Sequence, residues 1–149
     1  MDLLSLLNEN ARLTNAQLAA MLGKTEEEVE KEIADYQQKG IIKGYKALIN
    51  WEKVDHHKTT ALIELKVQPK KESGFDEIAK KIMQFSKVES VYLMSGGFDL
   101  AVMVHGDSIQ DIAMFVAKRL SPLDSVLSTA THFILTRYKE GDVILTSPK

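Results

Sequence analysis

The segment Ser95-Gly96-Gly97-Phe98-Asp99 contains the residue types that could bind a small zwitterion. A Gly-Gly pair favours a two-residue hairpin turn because glycine adopts positive φ without steric cost. It also lets a ligand approach the backbone N–H groups, which suit a carboxylate, while the Asp99 carboxylate suits an α-ammonium group. From the residues alone, the alternative is an ordinary hairpin with Asp99 in solvent.

Two hydroxyl side chains farther along the chain could join this site. Alternation along a predicted strand places Thr129 and Thr131 on one face. Threonine is also a common strand residue, so the pattern does not distinguish a binding site from plain sheet structure. Met94, Phe98 or Met103 would contact the ligand's side chain, which favours an aliphatic or aromatic ligand over a charged one.

Other chemistries find little support in the sequence. The absence of cysteine excludes a disulfide framework, a zinc finger and a cysteine nucleophile. There is no G-x-S-x-G elbow and no phosphate-binding glycine loop. His56 and His57 point to opposite sides of an extended chain, and His105 and His132 fall in different strands. We therefore expect no enzyme, no cofactor and no metal centre.

The composition is that of a globular protein. Of the 149 residues, 44% are hydrophobic and 27% charged, and the length allows one domain or two small ones. Apolar runs are only a few residues long, far short of the roughly 18 that cross a bilayer. The N-terminus lacks the basic region of a signal peptide. These features predict a cytoplasmic protein that does not enter a membrane.

Residues 1–42 predict three short helices. Thr14 and Thr25 are good N-caps, each followed three residues later by Gln17 or Glu28, which completes a capping box. Gly23 ends the second helix at a tight turn, so the second and third helices form a helix-turn-helix.

The rest of the chain predicts an α+β fold. Residues 59–149 have the order β-α-β-β-α-β, the ferredoxin-like arrangement of a four-stranded antiparallel sheet with two helices on one face. Residues 43–58 are a linker strand, Tyr45–Asn50, and a connector, and we expect the linker strand to pair with its copy across a dimer axis. The bare face of the sheet carries apolar residues and should pack on a second copy. The predicted elements of this part are strands 59–67, 88–94, 100–105 and 126–139, with helices 74–85 and 109–120.

The chain resembles the leucine-responsive regulator (Lrp)/AsnC family of transcriptional regulators. The resemblance is carried by Gly23–Val29, by Gly40–Ala47 with its G-x-I-x-G-Y-x-A pattern, and by Gly96–Asp99. It implies that residues 1–42 bind double-stranded DNA and that residues 59–149 form an effector-binding and oligomerisation (RAM-type) domain. It further implies an amino-acid effector bound between dimers, and homodimers that assemble to tetramers or octamers. The implied effector residues are Gly96, Gly97, Asp99, Thr129 and Thr131.

The charge of the helix-turn-helix departs from the family pattern. Residues 1–42 carry four Lys or Arg against eight Asp or Glu, and the predicted recognition helix is acidic. Because phosphate neutralisation supplies much of the affinity for DNA, we expect weak DNA binding. The alternative is an oligomeric amino-acid sensor with weak or lost DNA binding. The candidate DNA-binding residues are Lys24, Thr25, Lys31, Lys39 and Lys43.

Overall fold

Capping residues set the helix boundaries of the first unit. In the computed structural model, which describes residues 1–56 and 58–146, α1 spans Leu3–Glu9, α2 Asn15–Leu22 and α3 Glu26–Gln38. The chain divides into two units, Met1–Leu48 and Ile49–Lys149.

The predicted capping boxes are confirmed. The Thr14 hydroxyl accepts a hydrogen bond from the Gln17 backbone, and the Gln17 side chain accepts one from the Thr14 backbone. Thr25 and Glu28 repeat the arrangement at α3. Gly23 ends α2 in the left-handed region at φ 66°, which glycine tolerates best. The helices bury a small apolar core of Leu3, Leu6, Leu18, Ala19 and Val29.

The segment Tyr45–Asn50 pairs with no described strand of its own chain. After α3, Ile41 and Ile42 donate backbone hydrogen bonds to the Tyr36 carbonyl, and residues 41–50 then form no ladder within the described part of the chain. A strand needs a hydrogen-bonding neighbour, so the pairing of this segment with a second copy stays a prediction.

The second unit confirms the ferredoxin-like order. Its antiparallel sheet has the order β2-β3-β1-β4, with two helices between the strands. Helix α5 continues as a π-helical turn over Val116–Leu120. The elements are β1 Thr59–Val67, α4 Asp76–Met83, β2 Val88–Leu93, β3 Leu100–Gly106, α5 Ile109–Phe115 and β4 Val126–Phe133.

Alternation along β1 explains why the helices cover one face of this sheet. Ala61, Ile63, Leu65 and Val67 are all buried. The helices place their own apolar stripes on these residues, so burial of apolar surface fixes both the face and the register. The helical side chains of this core are Ile78, Ile82, Ile112, Phe115, Val116 and Leu120.

The final strand is shorter than predicted. β4 ends at Phe133 rather than Lys139, and the chain later turns through a two-stranded hairpin, β5 Lys139–Glu140 and β6 Val143–Ile144. Gly141 and Asp142 have φ of 51° and 67°, as a tight primed turn requires. β4 ends where its neighbour β1 begins. The Ile134 N–H donates the last backbone hydrogen bond between these two segments, to the Thr60 carbonyl.

The uncovered face of the sheet is mixed in character. Its apolar residues include Leu62, Met103 and Tyr92, which share this face by register. Two histidine–carboxylate pairs lie among the polar residues there, His132 with Glu64 at 3.4 Å and His105 with Glu89 at 3.0 Å. The predicted apolar side chains are therefore on this face, but polar ones interrupt them.

Candidate functional site

The glycine-containing hairpin joins β2 to β3 through a loop of four residues. The Met94 N–H donates to the Asp99 carbonyl at 2.8 Å, which closes the loop Ser95–Phe98. The prediction of a two-residue turn with positive φ is wrong, because neither Gly96 nor Gly97 has positive φ. A longer loop reverses the chain without the primed-turn geometry that would need glycine.

Nothing inside the described part of the chain requires glycine at these two positions. A Cβ atom on Gly96 or Gly97 would meet no atom within 4 Å. Within residues 1–56 and 58–146, no backbone group accepts a hydrogen bond from either N–H. The loop therefore presents two backbone donors without an acceptor among the described residues.

Asp99 ties this hairpin to the end of β1. Its backbone N–H donates to the Leu65 carbonyl at 2.9 Å, and its carboxylate Oδ2 accepts from the Val67 N–H at 2.8 Å. Asp99 lies just before β3 begins at Leu100, so its carboxylate takes the place of a backbone carbonyl there and satisfies the Val67 N–H. The reading of Asp99 as a solvated side chain is wrong, although its second oxygen has no partner among the described residues.

The two threonines share a face, as predicted. Thr129 is opposite Leu65 and Thr131 opposite Ile63, so both lie on the helix-covered face, where they are half-buried. Met103 pairs with Leu62 on the other face, so within one chain it does not lie beside the threonines. Its contact with a ligand between copies stays a prediction.

The predicted effector residues divide into two groups within one chain. Thr129 lies on the far side of β1 from Asp99, and two strand spacings separate their backbones by about 10 Å. The backbone of Thr131 is about 7 Å farther along β4. The charged ends of an amino acid are much closer together than this. Within one chain, the hairpin group and the threonine group are therefore farther apart than the two charged ends of an amino acid.

Two of the candidate DNA-binding lysines form ion pairs with carboxylates of α3. Lys24 Nζ is 2.6 Å from Glu32, and Lys39 Nζ is 2.8 Å from Asp35. The hydrogen bond to Glu32 raises the pKa of Lys24, and that to Asp35 raises the pKa of Lys39. Both ammonium groups stay charged, but each has a neutralising partner.

The remaining candidates differ in their surroundings. Lys31 and Lys43 are exposed and have no ion pair among the described residues. The Thr25 hydroxyl accepts from the Glu28 N–H at 3.1 Å, so its oxygen is used by the helix cap while its proton can still be donated. Glu26, Glu27 and Glu28 occupy the first turn beside it.

Comparison with known proteins identifies the family. The Lrp/AsnC ligand binding domain matches residues 60–144, more than half of the chain. The HTH-type transcriptional regulator YugG of Bacillus subtilis is 48% identical over 147 residues, 97% of this chain and 89% of YugG. The chain belongs to the Lrp/AsnC family. The resemblance inferred from the sequence motifs is thus confirmed.

Solved structures of similar fold extend over both units of this Lrp/AsnC protein. AsnC of E. coli has a TM-score of 0.70 at 21% identity and covers 92% of this chain and 90% of its own. The regulator NMB0573 of Neisseria meningitidis, solved with L-Met, has a TM-score of 0.72 at 22% identity, with coverages of 91% and 86%. At these identities the likeness concerns the fold alone.

Membrane-spanning helices and metal clusters are absent from the described residues. No helix in residues 1–56 and 58–146 is long and apolar enough to span a bilayer. In the same residues, no three His, Cys, Asp or Glu side chains are grouped so that they could hold a metal ion. His57, one of the four histidines of the sequence, lies outside the described residues.

Proposed function

We propose that this Lrp/AsnC-family protein is a DNA-binding transcriptional regulator that responds to a small amino acid at the hairpin Ser95–Asp99. The hairpin carries the proposal, because the N–H groups of Gly96 and Gly97 and the second oxygen of Asp99 have no partner among the described residues. The N–H groups suit a ligand carboxylate and the Asp99 oxygen suits its ammonium group. The L-Met complex of the Neisseria regulator supports this ligand class. As a regulator of transcription, the protein is expected in the cytoplasm.

The effector proposal predicts stabilisation of the folded protein by L-methionine. A ligand that binds only the native state raises the free energy of unfolding by about 2.7 kcal/mol at a concentration 100 times its dissociation constant. We expect the melting temperature of the full chain to rise with L-methionine concentration. Thermal unfolding against all twenty amino acids tests this, with methylamine and acetate together as a control for the separate charged groups. No rise with any amino acid contradicts the proposal.

We further propose that the uncovered sheet face is buried by a second copy, and that dimers associate further to tetramers or octamers. The apolar residues of that face support the dimer. The division of the effector residues supports the further association, because the two groups of one chain are far apart and a copy from another dimer can complete the site. Light scattering should show a dimer or larger at micromolar concentration.

A charged side chain on this face should separate the copies. Met103→Glu would bury a carboxylate against the facing sheet, which costs several kcal/mol without a partner, so we expect a monomer. Met114→Glu is the matched control, because Met114 is exposed on α5, on the opposite side of the sheet. Equal assembly of the two variants, measured by light scattering, contradicts the proposed interface.

A sensor without DNA activity is the second candidate function. The pairing of Lys24 and Lys39 with carboxylates favours it, because it removes two of the five candidate DNA-binding groups from use. Binding to genomic DNA fragments at low and then rising salt separates the two functions: a regulator binds at low salt and loses affinity as salt rises.

A further inference from the structure

A cavity of about 450 Å³ lies in the second unit, away from the effector hairpin. It is bounded by the connector, by the start of β1 at Thr59 and Thr60, by the end of β3 and by the segment after β4. The hairpin bonds to the other end of β1, at Leu65 and Val67. The two sites are therefore at opposite ends of one strand. The volume is within the range of small-molecule sites, roughly 300–1,000 Å³.

One part of the cavity is apolar. Trp51 and Val54 line it from the connector, and Ile134 and Leu135 line it from the chain after β4. Trp51, Val54 and Leu135 are exposed to solvent. An apolar ligand body would remove this surface from water, which is the main favourable contribution to binding in such a site.

The carboxylates that line the cavity already have partners. Glu52 accepts from the Arg137 backbone at 2.9 Å and from the Thr146 hydroxyl at 3.4 Å. Glu89 is 3.0 Å from Nδ1 of His105. Both oxygens of Glu52 are therefore engaged, whereas Glu89 is engaged through one oxygen only.

The two cations that line the cavity have no carboxylate partner among the described residues. Lys58 has no ion pair in the described residues, and the Arg137 guanidinium donates there only to the Ile49 carbonyl, at 3.2 Å. Two positive side chains without a carboxylate partner among these residues therefore border an apolar cavity in which Glu52 is engaged at both oxygens and Glu89 at one. This balance attracts an anion and favours a carboxylate, which both Lys and Arg bind by charge-assisted hydrogen bonds.

We propose that this cavity binds a small monocarboxylate that has an apolar body and no ammonium group, at a site separate from the amino-acid hairpin. Lys58 and Arg137 hold the carboxylate, and Trp51 packs on the apolar body. The cavity wall includes the connector that begins the second unit at Ile49, so an occupant adds contacts to the segment that follows the DNA-binding unit.

Trp51 provides a signal specific to this cavity, because it is the only tryptophan of the chain. The probe is 3-phenylpropanoate, titrated into the full chain while tryptophan fluorescence is recorded. We expect a saturable blue shift as the ligand shields the indole from water. Phenylalanine has the same skeleton with an added ammonium group, and 3-phenylpropanamide lacks the charge. Each should need at least about tenfold more ligand for the same shift.

Lys58→Gln tests the charge contact. It should weaken 3-phenylpropanoate about tenfold while leaving the circular dichroism spectrum unchanged, because Lys58 is exposed. Lys118→Gln is the matched control: it removes an exposed lysine that does not line the cavity, and it should bind like the parent. The proposal is overturned if the parent shows no saturable shift, if phenylalanine binds as well as the acid, or if Lys58→Gln binds like Lys118→Gln. A second copy that fills the cavity would produce the first of these results.

Discussion

The double variant Glu32→Gln, Asp35→Asn should bind non-specific double-stranded DNA about tenfold more tightly than the parent at low salt. In the parent, Glu32 and Asp35 hold Lys24 and Lys39 at 2.6 and 2.8 Å. The amides keep similar shapes but no longer neutralise the lysines. The new amide at position 32 also still offers an oxygen to the Tyr36 hydroxyl, which in the parent donates to Glu32 at 3.3 Å.

The salt dependence of binding distinguishes released lysines from a simple change in net charge. Each additional phosphate contact makes the slope of log K against log salt more negative by about 0.9, so two released lysines should change it by roughly 2. Glu27→Gln, Glu30→Gln is the matched control. It changes the net charge of α3 equally but releases no cation, because neither residue has an ion pair among the described residues.

Fluorescence anisotropy with a labelled duplex at several salt concentrations measures both quantities. If the two double variants behave alike, the lysines do not contact phosphates and only the overall charge of α3 matters. If neither variant gains affinity, α3 does not face DNA, and the function without DNA binding becomes the better account.

Features set by near neighbours in the chain were predictable from the sequence. The caps at Thr14 and Thr25 need only residues three positions away, and the burial of Ile63 and Leu65 follows from alternation within one strand. The pairing of Lys39 with Asp35 has the i,i+4 spacing of a helical ion pair, so it too had a local signal.

Features that depend on distant residues or on a second copy are not settled by local pattern. The linker segment Tyr45–Asn50 alternates like a strand, but a strand forms only where a neighbour accepts its hydrogen bonds, and the neighbour we expect is a second copy. The contact between Glu52 and Arg137 joins residues 85 positions apart, and the cavity beside them left no pattern in the sequence. Asp99 is the most consequential case, since its position suggested a ligand contact while its bond to Val67 is structural.

Asp99→Ala should therefore lower the stability of the protein as well as its affinity for an amino acid. The substitution removes the acceptor of the Val67 N–H, a residue that is 4% exposed. A buried donor left without a partner costs about 1–3 kcal/mol, and denaturant unfolding would show this loss in the free energy of unfolding.

Asp99→Asn separates the two roles. The amide oxygen can still accept from the Val67 N–H, so the free energy of unfolding should stay within about 1 kcal/mol of the parent. The negative charge that would pair with the ligand ammonium group is lost, and a charge-assisted bond of about 1.5–3 kcal/mol corresponds to a roughly 10- to 100-fold weaker affinity. Calorimetric titration with L-methionine measures that affinity for both variants. Unchanged affinity in Asp99→Asn, with lost stability in Asp99→Ala, would make Asp99 a purely structural residue and move the amino-acid site away from the hairpin.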